Sequence, residues 1–174
     1  MRLALASLLA GLLAIAACSG DDSDTSPTPT ATGNALHVME GAGMSPTIEN
    51  GQLVKIIEYG DAEPQAGDIV AFRRDVFANR TFVKRVVGQS GDTVKIRDGA
   101  VLVNDVELAE PYAQGETTCS VPCSWIILAA GGGDATGECP TVCYFVLGDN
   151  RQNSSDSRQG GLVPAENILG WIDR

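Results

Sequence analysis

Thr93-Val-Lys-Ile-Arg-Asp-Gly-Ala-Val-Leu-Val103 reads as two alternating apolar runs joined by Asp98-Gly99. A two-residue type I′ loop needs φ > 0 at both central positions, and Asp-Gly adopts that at low steric cost, so the stretch predicts an antiparallel hairpin. Outward from it, Leu53–Ile57, Asp68–Phe72 and Phe82–Val87 on one side and Cys143–Leu147 on the other carry the same strand signals. No long amphipathic helix and no internal repeat is visible. The expectation is a mainly β fold of bent antiparallel sheets or a barrel.

The first residues are of a different kind. Met1-Arg2 and the Leu/Ala run to Ala17 have the charged start and short apolar core of an export signal, too short for a comfortable membrane span. The run ends Ile15-Ala16-Ala17-Cys18, which resembles the lipobox of bacterial lipoproteins, in which the cysteine is acylated and becomes the mature N-terminus. That implies cleavage after residue 17 and membrane attachment through lipidated Cys18, since acyl chains contribute about 0.8 kcal/mol per buried CH2. An ordinary export signal with an incidental cysteine is the alternative. Ser19 to Gly33 is Asp, Ser, Thr, Pro, Ala and Gly without an apolar period, and reads as a disordered tether. The expected organisation is therefore 1–17 signal peptide, 18–33 lipidated cysteine and linker, and 34–174 one folded domain.

Residues 1–17 contain one arginine and no acid, so the other 157 residues hold 11 basic against 22 acidic side chains, a net charge of −11. Nucleic acid and anionic lipid surfaces are unsuited partners for such a chain.

Three segments carry the chemistry: Gly43-Met-Ser-Pro-Thr47, Phe82-Val-Lys-Arg-Val-Val-Gly88 and Gly148-Asp-Asn-Arg-Gln-Asn-Ser-Ser-Asp-Ser-Arg158. Their order and surroundings resemble the type I signal peptidases, Ser/Lys serine endopeptidases that write the first motif Ser-Met-x-Pro-Thr. Gly67–Arg73, Ala109–Tyr112 and Gly161–Pro164 extend the resemblance over most of residues 40 to 172. It implies a fold of the signal peptidase type, Lys84 as general base, and Gly43, which lacks a hydroxyl, in the nucleophile position. It also implies that Ser154 hydrogen-bonds and orients the lysine amine. Arg85, Asp149, Asp156 and Arg158 would brace the site, with Asp156 paired to Arg158 and Arg85. Met44, Pro46 and Thr47 would edge the substrate cleft.

The residue types suit those roles. On a strand Phe82, Lys84 and Val86 share a face, so Lys84 projects between apolar side chains, an environment that disfavours its ammonium form. The plainer reading is a lysine whose stem packs while its head reaches water. The 148–158 segment could be a polar loop chosen for turn formation, which accounts for its composition but not its order. Ser45 is a possible substitute nucleophile. In an extended segment it would share a face with residue 43 but lie about 6–7 Å along, whereas attack tolerates a misplacement of about 1 Å. His37, the only histidine, reads as a surface or core residue rather than a base.

Cys119, Cys123, Cys139 and Cys143 flank a Gly-rich turn, and in an exported protein they read as disulfides, with a four-cysteine zinc site as the alternative. An antiparallel ribbon pairs residues of constant index sum, which 119 with 143 and 123 with 139 share; nested bridges in a β-ribbon insertion are expected. Trp125–Leu128 beside them reads as core, or as an apolar patch leaning on a membrane.

The resulting expectation is a membrane lipoprotein of the bacterial envelope, outside the cytoplasm, with no metal or cofactor. It would hold an extended preprotein or peptide segment by strand addition without cleaving it. An active endopeptidase using Ser45 with Lys84 is the alternative, and a structural lipoprotein without a peptide ligand is a third.

Overall fold

A computed structural model describes residues 35–74, 80–120, 123–127 and 141–173. Cys18, the signal and linker segments, and Cys139 lie outside the described residues. The elements are β1 (Ala35–Val38), β2 (Leu53–Ile57), β3 (Ile69–Arg73), β4 (Thr81–Gln89), β5 (Thr93–Arg97), β6 (Ala100–Val103), β7 (Val106–Glu107), β8 (Ser124–Ile126), β9 (Cys143–Leu147), α1 (Ser157–Gly160), β10 (Val163–Pro164) and β11 (Ile168–Asp173). They form an antiparallel seven-stranded sheet, β1-β2-β11-β3-β4-β9-β10, and a four-stranded one, β7-β6-β5-β8. The expected mainly β architecture is the observed one.

The period of two sorts the large sheet's side chains. In β3, Ile69 and Ala71 pack with Met44, Ile48 and Val83, whereas Val70 and Phe72 pack with Tyr144 and Val146 on the other face. Central β3 is buried from Ile69 to Phe72, which is why it reads as an unbroken apolar run. In β9, Phe145 and Leu147 join Val94, Ile96 and Val101 of the small sheet in a third cluster, so the two sheets share a core. Each fully buried side chain of this kind stabilises the fold by about 1.5–3 kcal/mol. Asp98 and Gly99, with φ of 52° and 82°, make the expected left-handed turn between β5 and β6. Asn104 and Asp105 repeat it between β6 and β7.

The cysteine pairing differs from the nested ladder. Cys119 bonds to Cys123, with Cα atoms 5.8 Å apart, and Cys143 is also disulfide-bonded. β9 has both edges occupied, by β4 and β10, and β8 pairs with β5 instead. Residues 119–123 and 143 therefore never share a hairpin register. Ile127 is fully buried and half-buried Trp125 packs on Phe145 at 4.6 Å, so Trp125 and Ile127 belong to the core, with Leu128 outside the described residues.

Candidate active site

β4 carries Lys84 into an open cavity of about 270 Å³ whose other walls are residues 39–43 and 153–155. Only 7% of the lysine is exposed. Burial pushes its amine down to about 8; Asp156 and Asp149 oppose the shift, while Arg80 and Arg74 add to it. The amine donates to the Val83 carbonyl at 2.8 Å and makes no ion pair among the described residues. Val86 faces β3 through bonds to Gly67 and Asp68, so by alternation Val83 faces the opposite side of β4. There, among the described residues, β9 pairs with β4 only from Arg85 onward, while residues 81–84 pair with β3 on the other edge.

Residues 41–51 form a tight loop. Met39 and Gln52 close its base, Gly41 N–H donates to Asn50 Oδ1 at 2.8 Å, and fully buried Met44 and Ile48 anchor it in the core. Gly43 keeps an ordinary φ, outside the left-handed region. A Cβ at this residue would lie 3.3 Å from Lys84 Nζ, 3.5 Å from the Asn153 carbonyl and 3.6 Å from Ser154 Oγ. Position 43 is thus the one whose side chain would enter between the amine and the hydroxyl.

Ser45 is oriented differently. The segment is turned rather than extended, with Ser45 N–H donating to Ala42 O and Ile48 N–H to Met44 O. The Ser45 hydroxyl donates to Glu49 Oε2 at 2.7 Å, and the residue does not line the cavity. Of the expected cleft residues, Met44 is core, Pro46 is exposed, and Thr47 borders a separate depression with Leu53 and Lys55. The same turn causes this, directing Met44 inward and Pro46 out. His37 also lines the cavity.

The 148–158 loop is held by buried ion pairs. Arg85 grips Asp149 through two bonds of 2.9 and 2.7 Å, and Arg158 grips Asp156 at 2.8 and 2.9 Å. Arg85 was expected on Asp156; it meets Asp149 because Leu147 lies opposite Arg85 in the β4–β9 register and the chain then turns over it. Asp156 instead caps α1, accepting from Arg158 N–H, and also takes the Gly148 N–H at 3.0 Å. Gly148 has no room for a side chain: a Cβ would run into Ser154 Oγ and the Gly43 carbonyl. The expected bond from Ser154 to the lysine amine is not formed. Ser154 Oγ is buried without a hydrogen-bond partner, and the amine turns to Val83.

A family profile for signal peptidases, peptidase S26, matches residues 33–173. The chain belongs to the signal peptidase family. Signal peptidase I U of Bacillus subtilis (strain 168) is 36% identical over 137 residues, 76% of this chain and 70% of that protein. Signal peptidase I of Bacillus licheniformis is 35% identical over 138 residues, 77% and 72% of the respective chains. A crystal structure of a signal peptidase I from Enterococcus faecalis V583 aligns at TM-score 0.47 and 28% identity, over 64% of this chain and 98% of that one.

This signal peptidase relative also braces its site through residues that motif reading left without a role. Buried Arg151 binds Glu110 at 2.5 and 2.6 Å, Thr117 Oγ1 at 2.6 Å and the Gly148 carbonyl at 3.1 Å. Tyr112 lies beneath Arg85, the guanidinium 3.9 Å from its ring centroid. Ala109-Glu-Pro-Tyr112 is the stretch of sequence that carries two of these residues, Glu110 and Tyr112.

Proposed function

We propose that this chain is a signal peptidase relative of the bacterial envelope, lipid-anchored at Cys18, that holds extended peptide segments and does not hydrolyse them. The observation carrying this reading is Gly43, which offers no hydroxyl where a Cβ would stand 3.3 Å from the Lys84 amine. Losing the nucleophile of a hydroxyl/base pair costs about a millionfold in turnover. The Ser45 hydroxyl, engaged by Glu49, is not poised to replace it. Binding has separate support in the cavity beside Lys84 and in the side of β4 that carries the Val83 carbonyl, where β9 pairs only from Arg85 onward among the described residues, an arrangement suited to strand addition.

Gly43→Ser tests the reading. The ordinary φ at 43 imposes no left-handed strain, and the new Cβ needs a shift of only a few tenths of an ångström from the flexible end of Lys84. The variant should cleave a preprotein with an Ala-x-Ala end and lose that activity again on Lys84→Ala, while the unmodified protein binds the same segment uncleaved. Cleavage by the unmodified protein that Ser45→Ala abolishes would overturn the proposal.

A further inference from the structure

A second depression shares no residue with the Lys84 cavity. It lies between the loop that follows β2, the β9–β10 pair and the start of β11. Its volume is about 510 Å³, within the roughly 300–1,000 Å³ of small-molecule sites. Its walls are fixed by the chain's own hydrogen bonds. Tyr59 Oη and Gln65 N–H both donate to Asp68 Oδ2 at 2.9 Å, and Ala62 N–H donates to the Tyr59 carbonyl at 3.1 Å. Ala165 N–H donates to the Val142 carbonyl at 2.8 Å, which extends the β9–β10 pairing.

Two features of this wall are unmatched within the chain. Tyr144 lines the depression and is only 1% exposed, yet its hydroxyl has no hydrogen-bond partner among the described residues, whereas a buried phenol ordinarily finds one. Exposed Glu58 and Glu63 lie on the same wall and make no ion pair among the described residues, and no lysine or arginine lines it. The Glu63 carboxylate adds to burial in raising the Tyr144 phenol, so the two groups stand in each other's field. Pro64, Val142 and Ile168 supply apolar surface beside them. An anion would be repelled by both carboxylates, and a neutral alcohol would leave their charge uncompensated. A protonated amine donates to carboxylate and to phenol oxygen, its charge suits tyrosine rings, and an apolar stem covers the remaining wall. We infer that this depression binds a small organic cation, a protonated amine on an apolar stem, through Glu58, Glu63 and Tyr144. Its size and concavity fit a free small molecule rather than the broad face of a partner protein.

The test titrates the isotope-labelled full chain, in nonionic detergent at pH 7 and constant ionic strength, with phenethylammonium and with its neutral counterpart phenethyl alcohol, followed by amide NMR. The amine should shift residues 58–63, 142–144 and 165–168 saturably and bind about tenfold tighter than the alcohol. Glu58→Gln with Glu63→Gln should bring the amine down to the affinity of the alcohol. Tyr144→Phe should weaken the amine about threefold to tenfold, and unaltered amide positions in the rest of the spectrum report that each variant is folded. Equal binding of amine and alcohol by the unmodified protein overturns the cation assignment. Absence of saturable shifts, or shifts centred on other residues, overturns the site. A preference for the amine that survives the double substitution, or an affinity unchanged by Tyr144→Phe, overturns the roles given to those groups.

Discussion

The buried amine of Lys84 has a measurable consequence for stability. Its pKa falls from an ordinary 10.5 to about 8, chiefly through burial, and only 7% of the residue is exposed. At 1.36 kcal/mol per pH unit, that difference corresponds to about 3 kcal/mol. Below about pH 8 the amine is protonated in both folded and unfolded chains, and the folded state bears the whole cost of the buried charge. Between about 8 and 10.5 the folded protein has shed the proton while the unfolded chain still binds it, so stability rises with pH. Above 10.5 both are neutral and the rise stops. Urea denaturation of the unmodified protein and of Lys84→Met, from pH 7 to pH 10.5, isolates this effect because the other lysines and the tyrosines are common to both. The stability of the unmodified protein relative to the variant should climb by about 3 kcal/mol across that window. A lysine Cε titration followed by NMR should show a midpoint near 8. Parallel stability profiles, or a midpoint at or above 10.5, would refute the desolvated-amine argument.

Asp149→Ala should destabilise the fold by about 3–5 kcal/mol in chemical denaturation, because it strands the Arg85 guanidinium in a site where the pair is almost wholly buried. Cys119→Ser with Cys123→Ser opens only a short loop, so its cost should stay near 2 kcal/mol, and peptide mapping of the unmodified protein should recover the 119–123 bridge. Cys18→Ala should yield a protein without acyl mass that no longer pellets with membranes; an unchanged membrane fraction would remove the proposed lipid anchor.

What the sequence made legible was local. β2 and β5 follow from their alternation, β3 from its unbroken apolar run, and the turn at Asp98-Gly99 from the φ it demands. Burial of Lys84 was readable from the flanking Phe82 and Val86. β11 was not, because Gly170 interrupts its alternation and a bulge lies between Ile168 and Gly170. The cysteine register failed because it assumed a hairpin, when β9 already had partners on both edges. Extending residues 43–45 from the presence of Pro46 failed because Met44 and Ile48 fold that loop onto the core. The grip of Arg151 on Glu110 spans 41 residues, and no local period reports a contact of that kind.

Ion pairs of this kind bear on how the site keeps its shape with glycine at residue 43. The loop carrying Ser154 is held by Arg85–Asp149, Arg158–Asp156 and Arg151–Glu110, and none of these pairs uses a side chain at residue 43. Residue 43 contributes its backbone instead: its carbonyl accepts from Asn150 N–H at 3.2 Å and packs where Gly148 leaves room. The loop is therefore assembled by contacts that are indifferent to whether residue 43 bears a hydroxyl. Glycine at residue 43 supplies no attacking atom, while the Lys84 amine and the cavity are in place. On the proposed reading, hydrolysis would depend on one side chain and peptide holding on the sheet and its ion pairs, so a single substitution would separate the two.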